Sequence, residues 1–143
     1  MIITFNTKTL LESLRNVCGV AEDKQNMPIL GNVYFKVTSG ELLLVATDLE
    51  IEVLSKDPYE GSESIETTMN ARKLFDMVKS LEGKDEISFN FEDNKTTISS
   101  GKSKFVLSAI DATDFPHMEK DKQAESLQIN SSKLLSLFSQ TSF

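Results

Sequence analysis

Among its 143 residues the chain has one cysteine, Cys18, and one histidine, His117. A lone cysteine excludes an internal disulfide and points to a reducing compartment. With a single thiol and a single imidazole, a metal centre would have to rest on carboxylates. The acidic pairs Glu22-Asp23, Asp85-Glu86 and Glu92-Asp93 fall at turns, where solvated charge accounts for them. A thiol–imidazole pair would need Cys18 beside His117. Cys18, however, closes the apolar side of a helical stretch, and His117 follows Pro116 in a polar segment. A glycine is missing as well: Ser100-Gly101-Lys102-Ser103 ends like a phosphate-binding loop, but the position five before Gly101 is Thr96. That leaves a hairpin turn. No apolar run approaches the roughly 20 residues that span a bilayer, and Met1 to Phe5 is too short for a signal-peptide core. A cytoplasmic protein is expected, with no catalytic residues, metal or cofactor. Such a chain binds or scaffolds rather than catalyses.

Positive charge is also scarce, 15 Lys and Arg against 22 Asp and Glu, for a net charge of -7. Taken alone this opposes a polyanionic partner, because phosphate binding needs a positive surface. The average hides a segregation. Three helical stretches, 7–17, 70–81 and 131–138, hold Lys8, Arg15, Arg72, Lys73, Lys79 and Lys133 against only Glu12 and Asp76. They carry +4, and the rest of the chain carries -11.

Those stretches are copies of one design. In Asn70 to Leu81, the apolar Leu74, Phe75, Val78 and Leu81 recur at helical spacing, with Arg72, Asp76 and Lys79 opposite. Sixty-four residues earlier, Asn6, Leu10, Leu11, Leu14 and Val17 repeat the stripe, and Lys8, Glu12 and Arg15 repeat the charges sign for sign. Sixty residues later, Asn130, Leu134, Leu135 and Phe138 begin a third copy. A period of this length calls for a repeat architecture.

In chain order the pattern is strand, helix, strand, strand, strand, then the same again. The first unit runs through Ile2–Phe5, the helix, a strand with Val33, Phe35 and Val37 inward, a Ser39-Gly40 turn, Leu42–Thr47, and a strand with Ile51 and Val53 inward. The loop Asp57-Pro58-Tyr59-Glu60-Gly61 ends it. The second runs through 64–69, the helix, 86–91, 95–99 and 103–110. Residues 111–125 form a polar linker, after which Leu127 and Ile129 start a strand and Ser131–Phe138 a helix. The expected class is α+β: two βαβββ repeats, 1–60 and 61–111, forming one antiparallel sheet with both helices on one face. With its linker the first domain occupies 1–122, and 123–143 begins a second. The helices then present their basic stripes in one direction, a surface for a polyanion. Lys102 and Lys104 fall on the final strand, expected at a sheet edge with Phe105 and Leu107, which suits either a guard against aggregation or a subunit contact.

Five segments carry a closer likeness: Met27-Pro28-Ile29-Leu30-Gly31-Asn32, Ala46 to Glu52, Ala71-Arg72-Lys73-Leu74-Phe75, Ser100 to Phe105, and Asp114-Phe115-Pro116. In order and spacing they resemble the bacterial β sliding clamp, the processivity subunit of DNA polymerase III. The resemblance covers that family's first domain and the opening of its second. It implies a DNA replication factor without enzymatic activity, one of two subunits that close head to tail into a homodimer ring around duplex DNA, with helices inside and sheets outside. It implies DNA contacts at Lys24 and Arg72, to which the helical stripes add Lys8, Arg15 and Lys79. It implies a subunit interface at Lys73, Leu81, Lys102, Lys104, Phe105 and Leu107. The family's pocket for polymerase and clamp-loader peptides lies between its second and third domains, which these residues do not include. Two other readings of the same scaffold are a general protein-interaction domain and an enzyme of unknown chemistry. A neutral helix face would favour the first, and a pocket of converging polar groups the second.

Overall fold

The computed structural model describes residues 1–21, 26–118 and 125–142. The first unit is β1 (Ile2–Asn6), α1 (Thr7–Cys18), β2 (Asn32–Thr38), β3 (Gly40–Thr47) and β4 (Glu52–Tyr59), with a 3-10 turn at Pro28–Gly31 before β2. The second is β5 (Ile65–Asn70), α2 (Ala71–Ser80), β6 (Glu86–Glu92), β7 (Lys95–Ser100) and β8 (Ser103–Ile110). A short 3-10 turn at Ala112–Asp114 and a last helix, α3 (Ser131–Thr141), follow.

The eight strands form one curled antiparallel sheet in the order β1-β6-β7-β8-β5-β2-β3-β4. The order shows how the two units interlock. Each unit gives its first strand to the other unit's second: β1 pairs with β6 and β5 pairs with β2. The registers repeat as well, with Asn6 opposite Glu86 and Asn70 opposite Asn32. Neither unit can therefore close its sheet alone.

Both helices cover the same core. Leu10, Leu11, Leu14 and Val17 of α1 and Leu74 and Val78 of α2 are buried with Val33, Phe35, Leu44, Ile87 and Ile98 of the sheet. Each such side chain stabilises the fold by roughly 1.5–3 kcal/mol on burial. At the joint between the units, Phe5 and Phe35 meet Phe89 edge-on at 5.4 Å and face-on at 5.7 Å respectively, and Phe91 stacks on Phe89 at 5.9 Å. Ring pairs of this geometry contribute about 0.5–1.5 kcal/mol beyond the area they bury.

Several expectations are corrected. The third strand of unit one starts one residue later, at Glu52: Ile51 stays exposed in the turn, Val53 packs on the core as expected, and the Glu52 side chain lies on the outer face against the segment described below. The cause is the turn at Thr47–Ile51. Thr47 Oγ1 accepts from Leu49 N–H and donates to the Ile51 carbonyl, Asp48 Oδ1 accepts from Glu50 and Ile51 N–H, and Leu49 takes a positive φ of 78°. The segment 57–59 is strand rather than loop, and Pro58 is tolerated because β4 is a sheet edge. The strand carrying Lys104 is not the last of the sheet: β8 lies between β7 and β5, pairing along its length with β7 but with β5 only at Thr68–Ile110 and Met69–Ala109, so that 103–108 keep one free side. Leu127 and Ile129 form no strand among the described residues. The linker's first part is docked, not free. Phe115 and Ala112 are buried on the sheet's outer face against Tyr34 and Val45.

Candidate nucleic-acid interface

The helices begin alike. The Asn6 side chain accepts from Thr9 N–H at 3.1 Å, and the Asn70 side chain from Lys73 N–H at 2.9 Å. An asparagine in this place satisfies an amide that the first helical turn leaves unpaired. The shared cap sets both helices in the same rotational phase. Their apolar stripes therefore meet the sheet together, and their charged stripes face away together.

α1 packs directly against α2. Between them lies a cavity of about 610 Å³ lined by Arg15 of α1 and by Arg72, Phe75, Asp76 and Lys79 of α2, with Cys18 and Gly19 at its end. Arg15, Arg72 and Lys79, 57 residues or more apart in sequence between the two helices, thus share one hollow. All three side chains are exposed, as a group that meets a solvated polyanion must be. Arg72 Nε lies 3.9 Å from Asp76 Oδ2 with both groups mostly in water, a pair that contributes little and leaves the guanidinium available. Lys79 Nζ sits 5.9 Å from the centre of the Phe75 ring, which holds the ammonium over the helix surface.

Cys18 is no reagent here. Its Sγ donates to the Ala71 carbonyl at 3.5 Å, and burial, aided by the Asp76 carboxylate, pushes the thiol up to about 12. It tethers α1 to the start of α2. His117 is held elsewhere, by Tyr34 at 4.6 Å between ring centres and by Glu52 at 3.8 Å. The only thiol and the only imidazole therefore do not meet. Among the described residues no group of three or more His, Cys, Asp or Glu could hold a metal ion.

The structure divides the expected contact residues. Arg15, Arg72 and Lys79 converge. Lys8 lies instead in a smaller hollow of about 300 Å³ at the start of α1, with Glu12, Glu82, Lys84 and Asp85. Lys84 is a cation that helical spacing could not reveal, since it follows α2 in the turn before β6. Arg15 lines both hollows and joins them. Lys24 lies outside the described residues. Of the expected interface residues, Lys73, Lys102 and Lys104 are exposed and Phe105 is half-buried. Leu81 and Leu107 pack inward, at 3% and 5% exposure.

Comparison with known proteins agrees with this geometry. Residues 1–119 match the family described as DNA polymerase III beta subunit, N-terminal domain. Over its whole length the chain is 38% identical to the beta sliding clamp of Pseudomonas aeruginosa, of which it spans 39%. It is 33% identical to a beta sliding clamp sequence from Vibrio harveyi, of which it covers 99%. In three dimensions it superposes on the crystal structure of the DNA polymerase III subunit beta from Pseudomonas aeruginosa. There the TM-score is 0.88 at 36% identity, over 97% of this chain and 38% of that one.

Proposed function

The chain belongs to the DNA polymerase III beta subunit family, the β sliding clamps, and from that premise we propose that its helix pair faces duplex DNA as part of a processivity ring. Residues 1–122 are the first clamp domain and 123–143 the start of the second. The ring is a head-to-tail homodimer that tethers the replicative polymerase in the cytoplasm and performs no chemistry of its own. The clamp loader and polymerase engage it through a peptide pocket in later domains. Among the described residues no helix is long and apolar enough to cross a membrane.

One observation carries the reading: Arg15, Arg72 and Lys79 from two repeats converge on one interhelix surface, while the body around them is acidic. Exposed cations on a helix face meet phosphates and read no base edges, so they suit binding that must slide. Retention comes from enclosure, and tight contact would hinder movement. The free side of β8 around Lys104 and Phe105 supports the proposed subunit contact, since a partner strand can continue the sheet there.

Fluorescence anisotropy with two duplexes of unrelated sequence tests the DNA contact. The chain should bind both with a Kd of about 10⁻⁴ M or weaker at physiological salt, tightening as salt falls. Arg15→Ala combined with Arg72→Ala should weaken both equally at low salt. Preference for one duplex, or indifference to the double substitution, would overturn the reading.

A further inference from the structure

The repeat leaves two places where β strands of the two flanks approach, and only one is closed. Between β5 and β8, Thr68 pairs with Ile110 and Met69 with Ala109, and the hydroxyls of Thr67 and Thr68 both donate to the Ile110 carbonyl. The equivalent approach in the first unit is between β1 and β4, the two ends of the sheet. No ladder joins them. A groove of about 560 Å³ runs between them instead, floored by Phe5, Leu10 and Leu42.

The edge of β1 that faces this groove has unused backbone groups. Met1 and Phe91 exchange bonds in both directions, Phe91 N–H to the Met1 carbonyl at 2.7 Å and the Met1 amine to the Phe91 carbonyl at 3.0 Å. In an antiparallel ladder such mutual pairs alternate, so Ile3 and Phe5 turn their amides to β6 while Ile2 and Thr4 turn theirs away. Ile2 and Thr4 both line the groove and are exposed. Across it, Pro58 lacks the amide that a direct pairing with β1 would use. At Asp57 the first unit has a carboxylate where register places Leu107 in the second, and Ser13 of α1 donates to it. The charged lining is of one sign: Asp57, Glu60 and Glu63, with no lysine or arginine.

We propose that the open seam between β1 and β4 docks an extended lysine- or arginine-bearing segment of a partner protein. The segment adds a strand to the free edge of β1, rests apolar side chains against the exposed Ile2, and places its cations beside Glu60 and Glu63. Edge addition supplies affinity through main-chain bonds, and the carboxylates supply selectivity. A second copy of this chain is the poorer occupant, because each copy carries -7. The proposal is independent of the DNA surface, which lies on the helices.

The test uses the whole chain and two fluorescein-labelled octapeptides, one of alternating valine and lysine, the other of alternating valine and glutamate. Anisotropy at low salt should show the lysine peptide binding at least about tenfold more tightly. Glu60→Lys should weaken it about tenfold, and Glu125→Lys, an equal change of charge on the C-terminal segment, should not. In the saturated complex the Ile2 and Thr4 amides should gain protection from hydrogen exchange. That readout needs no variant to fold. Equal affinity for the two peptides, indifference to Glu60→Lys, unprotected Ile2 and Thr4, or self-association in place of peptide binding would each overturn the proposal.

Discussion

Helices α2 and α3 start from the same instructions and end in different circumstances. Each opens on an asparagine whose side chain accepts the amide three residues on, Asn70 from Lys73 and Asn130 from Lys133. Each carries an apolar stripe. Leu74 and Val78 of α2 are fully buried, whereas α3 buries none of its residues, and Leu135 and Phe138 stand 68% and 63% exposed. The difference is the sheet. α2 lies over β2, β5 and β8, while no strand among the described residues packs closely against α3. Local sequence therefore writes the helix and its cap, but partner strands supply the stability. An 11-residue helix without such partners is marginal in water.

The largest contrast should appear in hydrogen exchange. Amides of 74–80 should exchange only when the domain opens, a cost of at least about 5 kcal/mol, and those of 134–141 near the rate of a free chain. Comparable protection of both would erase the distinction. Core truncation sharpens the contrast: Leu74→Ala should destabilise by about 2–5 kcal/mol in urea unfolding, and Leu134→Ala by less than about 0.5 kcal/mol. The caps should differ more modestly. Asn70→Ala should cost about 1 kcal/mol of domain stability, while Asn130→Ala should leave the midpoint unchanged and reduce only the helical signal of α3. The smallest effect concerns pH. The Tyr34 hydroxyl and Lys36 ammonium hold the Glu66 carboxyl below its ordinary 4.5. A carboxylate depressed in the folded state stabilises above its unfolded value and loses that contribution as pH falls through the folded one. Melting temperature should therefore drop below about pH 4.5 less steeply in Glu66→Gln than in the unaltered chain. Identical slopes would remove Glu66 from the acid response.

What could be read beforehand follows the same division between local and distant causes. The repeat, the two packed helices and the convergence of Arg15, Arg72 and Lys79 were legible because helical phase and asparagine caps are local. The start of β4 was not. The alternation of Ile51 and Val53 places both inward, and Val53 does pack on the core, but a five-residue turn with Leu49 at positive φ takes in Ile51 and leaves it exposed. Pro58 reads as a loop residue in the sequence because its tolerance in a strand depends on β4 being an edge, a fact of pairing between distant strands. The docking of Phe115 on Tyr34, at 5.4 Å between ring centres, joins residues 81 apart inside an otherwise polar segment. Lys8 shares the charge pattern of Arg15 yet lies two turns nearer the start of α1, where its neighbours are Glu82 and Asp85 rather than α2. The open seam was hidden for a related reason. Nothing near Thr4 in sequence distinguishes it from Thr68, and only the strand opposite decides which of them is paired.

The central claim is that duplex DNA meets the interhelix face. Amide shift mapping of the isotope-labelled chain, titrated with a short duplex at low salt, tests it most directly. The account predicts shifts concentrated at Arg15, Gly19, Arg72, Phe75 and Lys79, fading as salt is added. Shifts centred on Tyr34, Lys36 and Leu54, on the outer face of the sheet, would contradict it.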